Sequence, residues 1–299
     1  MRGTTGRMNS LAVILPAAGK GSRFLAESAP TSGSMSGFSV KKPFVRLGGD
    51  PVWLWSVKVF SSIPETSQIL LVVAPEDVEA VRREYVTELT RFGVEVVPGG
   101  EERFLSVENG LRRVRDGIDY VAIHDAARPC VTRENLLAVL EVAIRTGAAI
   151  PAVPIFGTIK RTTPDEMDHV EGTERGEKTT GGKDGLTGDR PASYRIETTV
   201  PRERLWEAQT PQIFAKRLYE EGARKRGDFS PTDDAGLLER LGIPVHLVPG
   251  ERTNLKITTA FDLALAEKYL EIREESFRGG GGREAGKDEE NDRSDNRGE

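Results

Sequence analysis

Three short stretches hold residues whose types and spacing can do chemistry. LPAAGKGSRF (residues 15–24) follows an apolar run. It lacks the glycine that a GxxxxGK phosphate loop needs five residues before its GK pair. It also has Phe24 where a dinucleotide fingerprint needs a third Gly or Ala. Neither standard motif applies. What remains is a run of small residues: Ala17, Ala18, Gly19 and Gly21 leave room for backbone N–H groups to approach phosphate oxygens. Arg23 adds a permanently charged planar donor to the same loop. Lys41 and Lys42, ahead of Pro43, are placed so that one of them can close on a polyphosphate as a point charge, and the pattern leaves open which one.

The second stretch is YVAIHDAARPC (120–130). Asp125 stands two residues past a buried strand, where a carboxylate can hold a divalent metal that bridges phosphate oxygens. Arg128 either pairs with Asp125 or orders the loop, and His124 reads as a structural histidine at a strand end. In the third stretch, GGEERFLS (99–106), Arg103 and Ser106 open a helix. There they either present donors to a nucleobase or phosphate or simply cap the helix and meet solvent. Thr158, Lys160, Arg202 and Lys256, taken singly, are ordinary surface residues. A phosphate loop after one strand with an aspartate after a later one is the order that nucleotidyl transfer requires.

The elements that must position these residues follow from the apolar pattern. LAVIL (11–15) is a continuous apolar run without alternation, as expected for a strand buried on both faces. The signature recurs at 69–74, 94–97, 120–123 and 148–153, with helical stretches predicted over 51–61, 76–91, 104–116 and 133–146. The alternation predicts a Rossmann-like α/β fold: a mostly parallel sheet flanked by helices, with ligands beyond the carboxyl ends of the strands. Strand-like segments at 155–162 and 193–200 flank a polar stretch, 164–192, and predict a protruding β-arm over 155–202 with a mobile insertion at its tip. Helices are predicted at 215–226, 233–241 and 260–276, with a strand at 244–248 and a strand-like NLKIT around Lys256. The result is a single domain over 11–277, with a flexible N-terminus (1–10), a polar insert at 26–40 and a disordered tail at 278–299.

A net charge of −5 among 299 residues, with no interleaving of aromatic and basic residues, argues against a nucleic-acid partner. No apolar stretch reaches membrane-spanning length, and Cys130 is the only cysteine, so no intrachain disulfide can form. A cytoplasmic protein is expected.

Together LPAAGKGSRF, KKPF, GGEERFLSV, HDAARPCV, GTIKRT, LWEAQTPQIF, PTDDAGLLE and NLKITTAFDLALAE resemble the 2-C-methyl-D-erythritol 4-phosphate cytidylyltransferases of the non-mevalonate isoprenoid route. The resemblance runs from about residue 10 to 272. It implies an enzyme that transfers CMP from CTP to a sugar-alcohol phosphate and releases pyrophosphate, with magnesium or another divalent cation as cofactor. It implies Arg23, Lys42 and Lys256 on the triphosphate. Ala17, Ala18, Gly19, Gly21, Arg103, Ser106 and Asp125 fall on the CTP side, and Asp125 is also the metal carboxylate. Thr158, Arg202 and Thr210 receive the acceptor, with Arg128 in the adjoining loop. It further implies a homodimer through the arm. Three departures from the family pattern are Lys41, where proline is common, Gly157, where an aspartate is common, and the inserts at 26–40 and 164–192. An incoming phosphate is already a nucleophile, so no Ser–His or Cys–His pair is needed, and none is evident. The alternatives are a ribitol 5-phosphate cytidylyltransferase on the same plan and a non-catalytic nucleotide-binding module.

Overall fold

In the first strand, β1 (Leu11–Pro16), Leu11, Val13 and Leu15 enter one core cluster while Ala12 and Ile14 enter another. All five are fully buried, which is why the run shows no polar alternation. The computed structural model describes residues 9–19, 41–164 and 194–279. Gly21, Arg23, the 26–40 insert, positions 165–192 of the arm insert and positions 280–299 of the tail lie outside the described residues.

In chain order there follow β2 (Arg46–Leu47), β3 (Asp50–Pro51), α1 (Val52–Phe60), β4 (Thr66–Val73), α2 (Val78–Glu84), α3 (Val86–Phe92) and β5 (Val94–Pro98). Next come α4 (Arg103–Leu111), β6 (Tyr120–Ile123), α5 (Arg133–Thr146), β7 (Ala148–Pro154), β8 (Ile159–Pro164), β9 (Tyr194–Val200) and β10 (Trp206–Ala208). The last are β11 (Gln212–Ala215), α6 (Lys216–Arg224), α7 (Ala235–Arg240), β12 (His246–Pro249) and α8 (Ala260–Gly279). The chain divides into two compact units, 1–152 with 209–299, and 153–208.

The larger unit is built on a sheet of order β7–β11–β6–β1–β4–β5, with β12 beside β7. Pairs β1–β4, β1–β6, β4–β5 and β7–β12 are parallel, and β11 runs antiparallel to both β6 and β7. One face is covered by α1 (Trp53, Val57, Phe60) and α5 (Leu136, Val139, Leu140). The other is covered by α4 (Val107, Leu111), α6 (Tyr219) and α7 (Leu237, Leu238). Strands β4 and β5 extend to one side of β1 and β6 to the other, so the crevice beyond the end of β1 is the topological switch point. Among the described residues no helix is long and apolar enough to cross a membrane.

The smaller unit carries the ribbon β8–β9, paired antiparallel from Ile159↔Val200 to Pro164↔Tyr194. Phe156, Tyr194, Ile196 and Trp206 are exposed on this unit. A two-stranded ribbon with apolar side chains in water is marginal by itself.

Four expectations need correction. The helix predicted over 76–91 is two helices, because Tyr85 leaves the helical region (φ −110°, ψ 27°) and buries its ring edge-on against Trp53 at 5.6 Å. NLKIT is not a strand: Ile257 N–H donates to Ala127 O at 2.8 Å, so the segment docks on the loop after β6 instead of on a strand edge. Ser10, assigned to a flexible N-terminus, is fixed by its N–H and hydroxyl on Asp119 Oδ2, both at 2.9 Å. Finally α8 continues to Gly279, past the helix end expected at 276.

Candidate functional site

A cavity of about 510 Å³ opens along the carboxyl ends of the parallel strands. Each wall is a loop that leaves a strand: Pro16–Gly19 after β1, Ala74–Glu76 after β4, Gly99–Arg103 after β5 and Asp125–Ala127 after β6. Lys42, Ser106, Lys256 and Ile257 complete it. The structure thus brings Ala17, Ala18, Gly19, Lys42, Arg103, Ser106, Asp125 and Lys256 to one concavity. Small residues are required at its floor, since a Cβ on Gly99 would lie 2.8 Å from both Ala18 Cβ and Ser106 Oγ.

The paired lysines separate here. Lys41 Nζ lies 2.5 Å from Asp77 Oδ2 and 3.4 Å from Glu76 Oε1. Lys42 begins a short 3-10 turn with Pro43 (Lys42–Phe44) and lines the cavity.

Asp125 is the electrostatic centre. Arg103 Nε stands 3.2 Å from its Oδ1, and Lys256 Nζ (2.9 Å) and Arg128 Nε (3.6 Å) face its Oδ2. Burial pushes this carboxyl up, but Arg103, then Lys256 and Arg128, outweigh it and hold the group far below the ordinary carboxylate range. Asp125 is therefore an anion at neutral pH. Arg128 does both things the sequence suggested, since its Nη1 also donates to Asn254 O at 2.7 Å and orders the loop.

Beneath Asp125 lies His124, fully buried and structural as expected. Its Nε2 is 3.1 Å from Arg128 O, an atom that can only accept, so Nε2 carries the proton. Nδ1 then accepts from the Thr210 hydroxyl at 3.1 Å. Thr210 Oγ1 in turn accepts the Asp125 N–H at 3.1 Å. Desolvation drives the imidazole down to about 4, against the opposing pull of Asp125. Thr210 is buried and aligns Asp125 from behind, instead of presenting its hydroxyl to the cavity. Ser106 is also buried, and its hydroxyl ties the 100–102 loop, accepting from Gly100 N–H at 3.0 Å and donating to Glu102 O at 3.1 Å.

Thr158 and Arg202 are exposed residues of the smaller unit, where Arg202 donates to Phe156 O. Sequence reasoning gave no role to Asp234 and Tyr219. Arg103 Nη2 lies 2.8 Å from Asp234 Oδ2, and Tyr219 OH donates to Asp234 Oδ1 at 2.7 Å. In PTDDAGLLE nothing local separates this buried carboxylate from an ordinary helix-start acid.

The donor set tests the expected divalent ion. Both Asp125 oxygens already face cations, and among the described residues no three His, Cys, Asp or Glu gather to hold a metal. The described side chains alone do not make a metal cage, so a divalent ion held beside Asp125 would need most of its oxygen ligands from elsewhere.

The family model of 2-C-methyl-D-erythritol 4-phosphate cytidylyltransferase matches residues 11–178 and 186–272. The chain belongs to this family. The family member from Syntrophus aciditrophicus is 38% identical over 265 residues, covering 87% of this chain and 96% of the relative. The one from Solibacter usitatus is 37% identical over 272 residues, covering 90% and 98%. The crystal structure of the Thermus thermophilus family member is 29% identical, covers 88% of this chain and 99% of that one, and superposes with a TM-score of 0.61. Family membership confirms the α/β fold and the nucleotidyltransferase class that the motifs implied.

Proposed function

We propose that the chain transfers CMP from CTP to 2-C-methyl-D-erythritol 4-phosphate, giving 4-diphosphocytidyl-2-C-methyl-D-erythritol and pyrophosphate for isoprenoid precursor synthesis. The observation that carries this reading is the switch-point cavity lined by Lys42, Arg103, Asp125 and Lys256 in a chain of this family. An oxygen of the acceptor phosphate attacks the α-phosphorus of CTP, the bond to the β-phosphate breaks, and pyrophosphate leaves with the electron pair. Such a reaction needs two anions brought together and the growing charge neutralised.

Lys42 is assigned to the α-phosphate as it becomes five-coordinate. Lys256, half exposed on Asp125, is the cation that can pass from that carboxylate to a phosphate. Among the described residues, four acids (Glu76, Glu101, Glu102, Asp125) line the cavity against three bases (Lys42, Arg103, Lys256). A triphosphate therefore needs further positive charge, which we assign to Arg23 and to magnesium bound beside Asp125. When bound, the ion neutralises phosphate charge. Thr158 and Arg202 are assigned to the acceptor. The exposed apolar residues of the β8–β9 unit favour its use as the arm of a homodimer, which would let these two residues serve the neighbouring site. A cytoplasmic location fits substrates of this kind.

The test is pyrophosphate release by the purified chain with CTP, magnesium and methylerythritol phosphate, with ribitol 5-phosphate as the comparison. Release with methylerythritol phosphate is expected. Release with ribitol 5-phosphate alone, or with neither, refutes the assignment.

A further inference from the structure

Arg103 is held by two carboxylates from different parts of the fold. Its Nε faces Asp125, just past β6, and its Nη2 faces Asp234, just ahead of α7. A guanidinium held on one edge by one acid can still swing about its long side chain. Held by two acids on separate elements, its plane is fixed. Burial opposes the charge, yet Asp234 and then Asp125 keep the guanidinium protonated.

Asp234 is nearly inaccessible, with 2% of its side chain exposed, and it lies outside the cavity lining. Its other oxygen takes the hydroxyl of Tyr219, itself buried and stacked on Phe214 with ring centroids 5.2 Å apart. Burial and the Asp234 charge push this phenol well above its ordinary range, so it remains a donor. The same turn is fixed again beside it: Gln212 Nε2 donates to Asp233 Oδ2 at 2.9 Å, and Ala235 N–H donates to Gln212 Oε1 at 2.9 Å. A buried ion pair is weak evidence for stability, because both charges lose their water. A carboxylate kept in this setting, behind a cavity-lining arginine, is better explained by the geometry it imposes.

We propose that Asp234, backed by Tyr219, is the positioning residue that aims Arg103 at the nucleotide. The inference rests on the reading that Arg103 serves CTP. It assigns affinity for the nucleotide to a carboxylate that does not line the cavity.

The experiment is a double-mutant cycle on the full chain: wild type, Asp234→Asn, Arg103→Ala and the double variant. The CTP dissociation constant is read by calorimetry with magnesium, alongside KM and kcat, and thermal melting verifies folding. Loss of one charge-assisted hydrogen bond predicts that Asp234→Asn weakens CTP binding about tenfold. The expected change in kcat is within about threefold, since the contact serves binding and not the transition state. In the Arg103→Ala background the same substitution should change CTP affinity no further. Tyr219→Phe keeps the stacking and should weaken binding in the same direction by a smaller factor; it replaces Asp234→Asn if that variant does not fold. Arg103→Lys, which keeps the charge and loses the fork, replaces the alanine variant on the same ground. Unchanged CTP affinity in Asp234→Asn, or an equal loss with and without Arg103, overturns the proposal. A wild type that binds CTP but releases no pyrophosphate refutes the activity, while the cycle in dissociation constants still decides the role of Asp234.

Discussion

Lys41 and Lys42 are chemically identical neighbours with different tasks, and only their partners distinguish them. Lys41 Nζ is committed to Asp77 and Glu76, while Lys42 lines the cavity. Lys42→Ala should lower kcat by about a hundredfold or more, the usual effect of losing one preorganised donor to a developing charge. CTP affinity should fall only about threefold, because the charge matters most in the transition state. Lys41→Ala should leave both within about threefold, because its charge is committed to Asp77 and Glu76 and not to the cavity. Steady-state kinetics with a direct CTP titration decide this, and an equal loss of kcat and affinity in Lys42→Ala would remove its assigned role. At this scale the sequence named most of the residues that meet in the cavity but could not show their partners. Arg103 was visible as a donor at a helix start. Its bridging of Asp125 and Asp234 depends on a turn near the end of the fold, which no local spacing encodes.

The elements were most legible where burial is two-sided. YVAI was predicted over 120–123, where β6 lies, because a strand covered on both faces reads as an unbroken apolar run. β11 was missed although it sits between β6 and β7, because QIFA is four residues long and takes its strand form from two antiparallel neighbours. Gly110 shows what helix propensity conceals. It sits in α4, where alanine is intrinsically better by about 1 kcal/mol. Yet an added Cβ would lie 2.7 Å from Ile14 Cγ2 and 3.2 Å from Val72 Cγ2, both fully buried in β1 and β4. Overpacking of this kind costs about 1–3 kcal/mol and exceeds the propensity gain. Gly110→Ala should therefore destabilise the protein by up to about 2 kcal/mol, read as a lower urea midpoint with an unchanged slope. A raised midpoint would show that α4 can move off the sheet freely.

For the whole molecule, the floor of the site and the stability of the fold meet at His124. The ring lies between Ser56 and Phe60 of α1, Arg128 O, Thr210 and the Asp125 backbone, so protonating it would place a charge in a closed core and reverse the Thr210 hydrogen bond, turning that hydroxyl away from the ring. Its folded value of about 4 lies below the ordinary 6.5 of an unfolded chain. Between those values the unfolded state binds more protons than the folded one, so stability falls as the pH falls. The contribution is complete above about pH 6.5, declines through pH 5 and flattens near pH 4. The full drop across this window is about 3 kcal/mol, because a tenfold change in proton affinity is worth about 1.4 kcal/mol. Asp125, held low by its three cations, adds a separate loss that begins only below about pH 4. Urea midpoints of the metal-free protein across pH 4–7 should show the upper window as a slope. His124→Gln keeps a donor near Arg128 O but has no group that titrates there, so it should be less stable at pH 7 and level across the same range. A wild type that is level between pH 6.5 and 4, or a glutamine variant that keeps the slope, would mean that the proton is taken up elsewhere than at this ring.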